Sequence, residues 1–326
     1  MLHEAVMSEA RSFMKSRVLL TAAELDFFTR LDEEPSDAKE LAQHLMLDQA
    51  ATTRVLDCCV ALGLLEKKKT RYHVTGRGAF LSSHNPETVL PMVLHMSHEW
   101  AIWSGLTDIV REGRGAQRGP GLPFNEQEWK AFVGAMHVAA RGLSIEIADA
   151  YDASRFKRLL DVGGASGTYT IAFLRKNPAM TAVIFDLEDV IPMAEERVRA
   201  EDLDHRVRLV AGDFYENDLP EGCDFALLSA IIHQNGIEEN LNLFRKIHKA
   251  LLPEGTLLIR DHIMDESRTY PPAGALFAIN MLVNTRGGDT YDFQSVKDML
   301  EQTGFKDVKL LRTGEKMDCL VEAGKA

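Results

Sequence analysis

Residues 159–173 read LLDVGGASGTYTIAF. A short apolar run enters a glycine-rich turn and leaves it as a segment with helical spacing. That strand, turn and helix form the opening unit of a parallel α/β sheet. Glycines at 163, 164 and 167 let the backbone approach a ligand closely, and a helix beginning near Thr168 aims its free N–H groups at the turn. A dinucleotide-binding G-x-G-x-x-G starting at Gly163 needs glycine at 165 and 168, where this chain has Ala165 and Thr168. The spacing instead suits D-x-G-x-[GA]-x-G led by Asp161, so no pyrophosphate is implied.

Outward from this turn the same grammar repeats. RLLDV, TAVIFD, VRLVAGD, CDFALLSAI and GTLLIRD read as strands, mostly separated by helical segments, which predicts a doubly wound sheet covered on both faces. After SVKDMLEQTG the chain ends in KDVKLLR, a turn at TGEK and MDCLVEA, most simply an antiparallel hairpin at the sheet edge. The second strand ends at Asp186, a carboxylate suited to accepting from two ribose hydroxyls. The third ends at Asp213, placed for an adenine amino group, followed by Phe214, placed to stack on the base. Either acid alone could be a helix cap or a solvated loop residue. Ligand-type residues at the ends of three successive strands point together to a binding edge, because open α/β sheets take ligands there.

Residues 1 to about 85 have a different rhythm. DAKELAQHLML and DQAATTRVLDCCVALGLLEKKK show helical spacing, and RYHVTGRGAFL reads as a turn between strands, together the pattern of a winged helix. A DNA reader needs a basic face, yet the helix that would enter the groove, roughly 49–62, carries Arg54 and the acid Asp57, with Lys67, Lys68 and Lys69 only after it. Dimerisation or lid formation is the expected role, and nucleic acid an unexpected partner. Residues 86–150 read as largely helical around the loop GRGAQRGPGLPF. Met96, Trp100 and Trp103 share one helical face there, as do Phe132 and Met136. Such residues are core more often than pocket, but as a group they are candidates for an apolar acceptor wall.

The totals narrow the class. A length of 326 residues allows one large and one small domain, expected at 1–100 and 101–326. A net charge of −12 argues against a general affinity for phosphate backbones or anionic membranes. No apolar stretch reaches the roughly 20 residues needed to span a bilayer. MLHEAVMSEARSF lacks the basic-then-apolar order of a signal peptide, and the 4 cysteines show neither metal-ligand spacing nor a disulfide framework. A cytoplasmic, reduced protein without a metal is the expectation.

From about Leu159 to its end, the chain resembles the class I S-adenosylmethionine-dependent methyltransferases. More narrowly, it resembles the O-methyltransferase family that includes the plant caffeic acid and the acetylserotonin (hydroxyindole) enzymes and bacterial relatives. DVGGASG is similar to that family's DVGGGTG, FDLEDVI to its FDLPHVI and AGDFYE to its GDFF. The N-terminal segment resembles the family's dimerisation domain. The resemblance implies S-adenosylmethionine as cofactor, S-adenosylhomocysteine as product, a small-molecule acceptor, and a homodimer whose small domains help close each other's pockets.

It also bears on LSAIIHQNG, residues 228–236. A lone histidine after an apolar run is more often structural than functional. In the family, an I-L-H-D-W histidine deprotonates the acceptor hydroxyl, and His233 falls on it. Asp261 in LLIRDHI matches the acid that orients that imidazole. The family's second acid, in G-G-x-E-R-T, is replaced by Thr290, with Asp289 one residue away. Gln234 stands for an aspartate, and Ser229, counted among the cofactor-contacting residues, stands where plant members carry a lysine near the cofactor carboxylate. Phe132 and Met136 match pocket-lining positions, and Met281 matches a methionine that packs on the acceptor ring.

The chemistry is consistent with a base. A sulfonium methyl is already activated, so alignment and exclusion of water dominate. A phenol with a pKa near 10 is ionised at about one part in a thousand at neutral pH, and a neutral imidazole can take its proton. Transfer to carbon or sulfur on the same scaffold, or a cofactor-sensing DNA-binding regulator, are the alternatives at this stage.

Overall fold

The computed structural model describes residues 2–113 and 126–325, and the loop expected over 113–124 lies outside them from residue 114 on. The chain divides into two compact units. One takes residues up to Ala101 and a further stretch ending at Val138; the other takes those beginning at Ile102 and everything from Ala139. One long helix, α7 (Glu126–Ala150), carries the chain from the first unit into the second.

In the first unit α1 (Leu2–Glu24) and α2 (Phe27–Glu33) precede a two-residue strand, β1 (Ser36–Asp37). Helices α3 (Ala38–Leu45) and α4 (Gln49–Ala61) follow, then β2 (Leu65–Lys68) and β3 (Arg71–Val74), which close a three-stranded antiparallel sheet in the order β1-β3-β2. Asp37 starts α3 by accepting from the N–H groups of Lys39 and Glu40, while Glu40 reaches back to the Asp37 N–H, a reciprocal cap. Asp48 caps α4 through the Ala51 N–H. Phe27, Phe28, Leu31, Leu56 and Tyr72 make the core of this unit. Helix α5 (Leu90–Trp103) comes next, and α6 (Leu106–Glu112) already belongs to the second unit.

The second unit is built on β4 (Arg158–Val162), whose last four residues are buried, as expected of a strand covered on both faces. Then come α8 (Thr168–Lys176), β5 (Thr181–Asp186), α9 (Ile191–Ala200) and β6 (Val207–Ala211). The return half holds β7 (Cys223–Ser229), α10 (Ile237–Ala250), β8 (Leu251–Asp261), β9 (Ile263–Met264), α11 (Pro272–Asn284), β10 (Tyr291–Asp292) and α12 (Phe293–Gln302). The chain closes with β11 (Phe305–Arg312) and β12 (Cys319–Lys325), the expected antiparallel edge hairpin. The sheet order is β11-β12-β8-β7-β4-β5-β6, parallel apart from β12, which runs against both β8 and β11.

The winding reverses between β4 and β7: the chain first steps outward to β5 and β6, then returns to β7 and β8 on the other side. A crevice opens at the carboxyl ends of the strands at such a reversal. One face of the sheet is filled by Leu160, Val183, Leu228, Phe244 and Ile259, the other by Leu159, Phe173, Ile184, Phe225 and Leu258. Among the described residues no helix is long and apolar enough to cross a membrane.

Candidate active site

The turn after β4 is shaped by backbone that side chains would obstruct. Gly163 and Gly167 have φ of +69° and +73°. A Cβ at Gly163 would lie 2.8 Å from Ile231 Cδ1, and one at Gly167 would lie 2.9 Å from Ile184 Cδ1. Ala165 adopts φ +46° despite its methyl, a conformation that costs energy for an L-residue. Its N–H donates to Asp186 Oδ2 at 2.7 Å, which holds the turn against the end of β5.

Asp186 also accepts from the Leu187 N–H at 2.7 Å through Oδ1. Burial pushes its carboxyl upward, while those two backbone donors oppose the shift. Each oxygen retains a lone pair, so the carboxylate can still accept from two hydroxyls. At the end of β6, Asp213 accepts from the Tyr215 N–H at 2.8 Å. Phe214 follows, half-buried, with its ring edge 3.5 Å from where a Cβ on Gly163 would be. Asp161 is buried to 1% exposure and accepts from Thr170 Oγ1 at 2.6 Å. Burial pushes its carboxyl up to about 6, with the Thr170 hydrogen bond opposing and the Asp186 charge adding. Its contacts tie the end of β4 to the first turns of α8.

His233 lies in a single 3-10 turn just beyond β7, with 8% of its surface exposed. Its Nδ1 stands 2.8 Å and 3.0 Å from the two oxygens of Asp261, the last residue of β8. Asp261 is fully buried and accepts the His262 N–H at 2.8 Å. Burial pushes the Asp261 carboxyl up, but the His233 imidazole, its hydrogen bond, the Arg260 charge and the His262 N–H together hold it below the usual range. A carboxylate on Nδ1 leaves Nε2 as the nitrogen that can take a proton. Asp289, the neighbour of Thr290, turns away to pair with Arg268, while its backbone N–H donates to the His233 carbonyl at 2.8 Å. Thr290 is buried and reaches the Gly274 carbonyl instead.

A set of buried amides holds this turn that sequence reasoning did not single out. Asn240 Nδ2 donates to the Ile232 carbonyl at 2.9 Å, and Asn235 Nδ2 donates to Asn240 Oδ1 at 3.0 Å. The Tyr291 hydroxyl donates to the Asn235 carbonyl, and Gln234 donates to the Tyr215 hydroxyl at 3.3 Å. The only local signal was a polar Asn240 among the apolar positions of α10. Phe277 on α11, also missed, meets His233 edge-on at 4.8 Å and lies tilted to His262 at 5.2 Å. Met281, one turn further along α11, is buried. Trp103 Nε1 donates to Asn280 Oδ1 at 3.0 Å, on the same helix. Ser229, at the end of β7, accepts from Arg260 Nε at 2.9 Å. Phe132 and Met136 belong to the first unit, where Phe132 lies edge-on to His95 at 5.4 Å.

Known proteins share this fold. The O-methyltransferase domain family matches residues 103–306, and the O-methyltransferase dimerisation domain family matches residues 7–83. The chain is 30% identical over 313 residues to the 3-hydroxy-5-methyl-1-naphthoate 3-O-methyltransferase of Streptomyces sahachiroi, covering 93% of this chain and 89% of that one. It is 29% identical over 305 residues to the tetracenomycin polyketide synthesis 8-O-methyl transferase of Streptomyces glaucescens, covering 91% and 90%. The crystal structure of human N-acetylserotonin methyltransferase in complex with S-adenosylmethionine superposes with a TM-score of 0.85 at 26% identity, covering 100% of this chain and 98% of that one.

The residues present fit that cofactor. The space beside Gly163 would be filled by a side chain, Asp186 keeps acceptor capacity, and an aromatic ring stands next to the turn. The chain belongs to the S-adenosylmethionine-dependent O-methyltransferases, with the family's dimerisation domain ahead of its catalytic domain.

Proposed function

We propose that this enzyme methylates a phenolic or other aromatic hydroxyl of a small molecule, with His233 as general base and Asp261 behind it. The pairing of His233 Nδ1 with Asp261 at 2.8 Å carries this reading, because it leaves Nε2 free to receive a hydroxyl proton. The bound cofactor supplies a methyl group already activated on a sulfonium. Asp186 holds the ribose, Asp213 and Phe214 hold the adenine, and the turn led by Asp161, with Gly163 and Gly167, gives the ligand room. As the acceptor hydroxyl attacks, its proton passes to Nε2, and Asp261 stabilises the resulting imidazolium. Met281 and Trp103, both of the second unit, belong to the apolar acceptor wall. The relatives whose names specify an 8-O- or a 3-O-position on polyketide and naphthoate frameworks support an aromatic hydroxyl as acceptor.

In this reading the segment up to about residue 100 pairs two copies, and the homodimer works in the cytoplasm. Nucleic acid and membrane are not partners, which accords with a net charge of −12. The test is transfer of labelled methyl from S-adenosylmethionine to a panel of phenols, hydroxyindoles, thiols and carbon acids, with wild type and His233→Ala. Methylation of an oxygen acceptor with a loss of about 10²- to 10⁴-fold in the variant, cofactor binding retained, is expected. A thiol or carbon acceptor, or an undiminished rate in the variant, would remove His233 from the role of base.

A further inference from the structure

The 3-10 turn that carries His233 is held by a ring of side-chain hydrogen bonds whose two ends are the neighbours of His233. Gln234 donates to the Tyr215 hydroxyl at 3.3 Å, and that hydroxyl donates to Asn235 Oδ1. Asn235 Nδ2 donates to Asn240 Oδ1 at 3.0 Å, and Asn240 Nδ2 closes the ring on the Ile232 carbonyl at 2.9 Å. Asn235 and Asn240 are fully buried, so water cannot replace the bonds they make. Ile232, Gln234 and Asn235 lie in the turn or directly after it, and Asn240 comes from α10. Of the residues in this ring, Tyr215 alone arrives from elsewhere: it lies in the loop after β6, directly beyond Phe214. Its ring centre is 4.6 Å from that of Phe214, and burial pushes its hydroxyl above the ordinary range, so it remains a donor. The loop itself is tied down. Asp213 accepts from the Tyr215 N–H at 2.8 Å, and Lys246 of α10 donates to the carbonyls of Phe214 and Tyr215 at 2.8 Å and of Asn217 at 2.9 Å. Helix α10 thus braces the loop through Lys246 and the turn through Asn240, and the Tyr215 hydroxyl joins loop to turn directly.

We propose that Tyr215 is a positioning residue for His233, one that ties the placement of the base to occupation of the adenine site. The inference rests on the adenine and base assignments given above and extends them to the group that connects the two. A catalytic group displaced by about 1 Å can cost on the order of 10²-fold in rate. Asp261 fixes the His233 ring through Nδ1, but the ring must follow the backbone of its turn. That backbone is set by the Ile232 carbonyl and by Asn235, both within the hydrogen-bonded ring. When adenine packs on Phe214, the adjoining Tyr215 is immobilised with it, and its hydroxyl holds Asn235 and Gln234 beside His233. A phenylalanine in its place would fill the same space next to Phe214 and offer the turn no bond. The hydroxyl is therefore the part of this residue that the base turn requires and the adenine site does not.

The experiment is magnetic resonance of the full-length protein carrying isotope-labelled histidine, with the His233 ring signals assigned by their loss in His233→Gln. Adenosine, which fills the adenine and ribose positions only, is the titrant, and calorimetry gives its affinity in parallel. In wild type, adenosine alone is expected to move the His233 signals. Tyr215→Phe keeps adenosine affinity within about threefold, because its hydroxyl faces the turn, while the His233 response falls about fivefold or more. His248, further along α10 and edge-on to Phe305 at 5.0 Å, reports on the fold at large, and its signals stay unchanged by the substitution. Gln234→Leu cuts the same ring at a half-buried residue and weakens the response in the same direction, so the proposal stays testable if Tyr215→Phe does not fold. A His233 response that persists in the variant that folds, or wild type that binds adenosine without any response, overturns the positioning role alone. Failure of wild type to bind either adenosine or S-adenosylhomocysteine overturns the cofactor placement, and the inference with it.

Discussion

His233 gives one ring nitrogen to a carboxylate and keeps the other for chemistry, and the consequences can be measured on each neighbour. Asp261→Asn keeps the shape of the pair but offers Nδ1 an amide and no compensating charge. Initial rates of methyl transfer are expected to fall about 10²- to 10⁴-fold with cofactor affinity unchanged; a loss below tenfold would leave Asp261 a packing role only. His262, a second neighbour of Phe277, carries a pH dependence of its own. Burial pushes its imidazole down to about 4, against the pull of Asp261. An unfolded histidine protonates near pH 6.5, so its neutral burial adds stability above that pH, and the contribution is lost as pH falls from about 6.5 to about 4. Denaturant unfolding across this window is expected to show wild type losing about 1–3 kcal/mol relative to His262→Asn. Asp161, raised to about 6, contributes a slope of opposite sign, but it does so in both proteins and cancels in the comparison. Parallel curves would contradict a neutral, buried His262.

At the scale of elements, the turn joining β4 to α8 was legible because its chemistry is local. Glycines at 163 and 167 occupy left-handed backbone, and that requirement is written into residue type. Gly167→Ala forces a Cβ to within 2.9 Å of Ile184 Cδ1 at a φ of +73°. It is expected to cost about 1–2 kcal/mol and to weaken S-adenosylhomocysteine binding, read by unfolding and titration together; unchanged binding would mean that the turn does not shape the cofactor site. The 3-10 turn that carries His233 was less legible. Asn240, Asn235 and Tyr291 hold it from α10, the turn itself and β10, and nothing in the spacing of those residues links them. The same holds for the replaced acid. Sequence left Asp289 as a candidate partner for His233, whereas its side chain pairs with Arg268.

For the whole molecule, the sheet order places every proposed cofactor contact on one edge, so ligand binding is linked to the stability of the second unit. S-adenosylhomocysteine at about 100 times its dissociation constant is expected to stabilise the folded state by about 2.7 kcal/mol, visible as a rise in melting temperature. Asp186→Ala should remove that rise without lowering the unliganded melting point by a comparable amount; a shift that persists would place the ribose elsewhere. Strand periodicity, turn glycines and the acids ending strands are properties of neighbouring residues, and the sequence alone determined the doubly wound fold, the terminal hairpin and the ligand edge, while its resemblance to a family implied the cofactor. Tertiary structure decided which buried groups face one another: the His233–Asp261 pair across 28 residues, the amide support beneath it, and Arg260 buried against Ser229 and the Met317 carbonyl. Which groups meet inside a fold is defined by what surrounds each of them in space, and one-dimensional spacing holds no record of that.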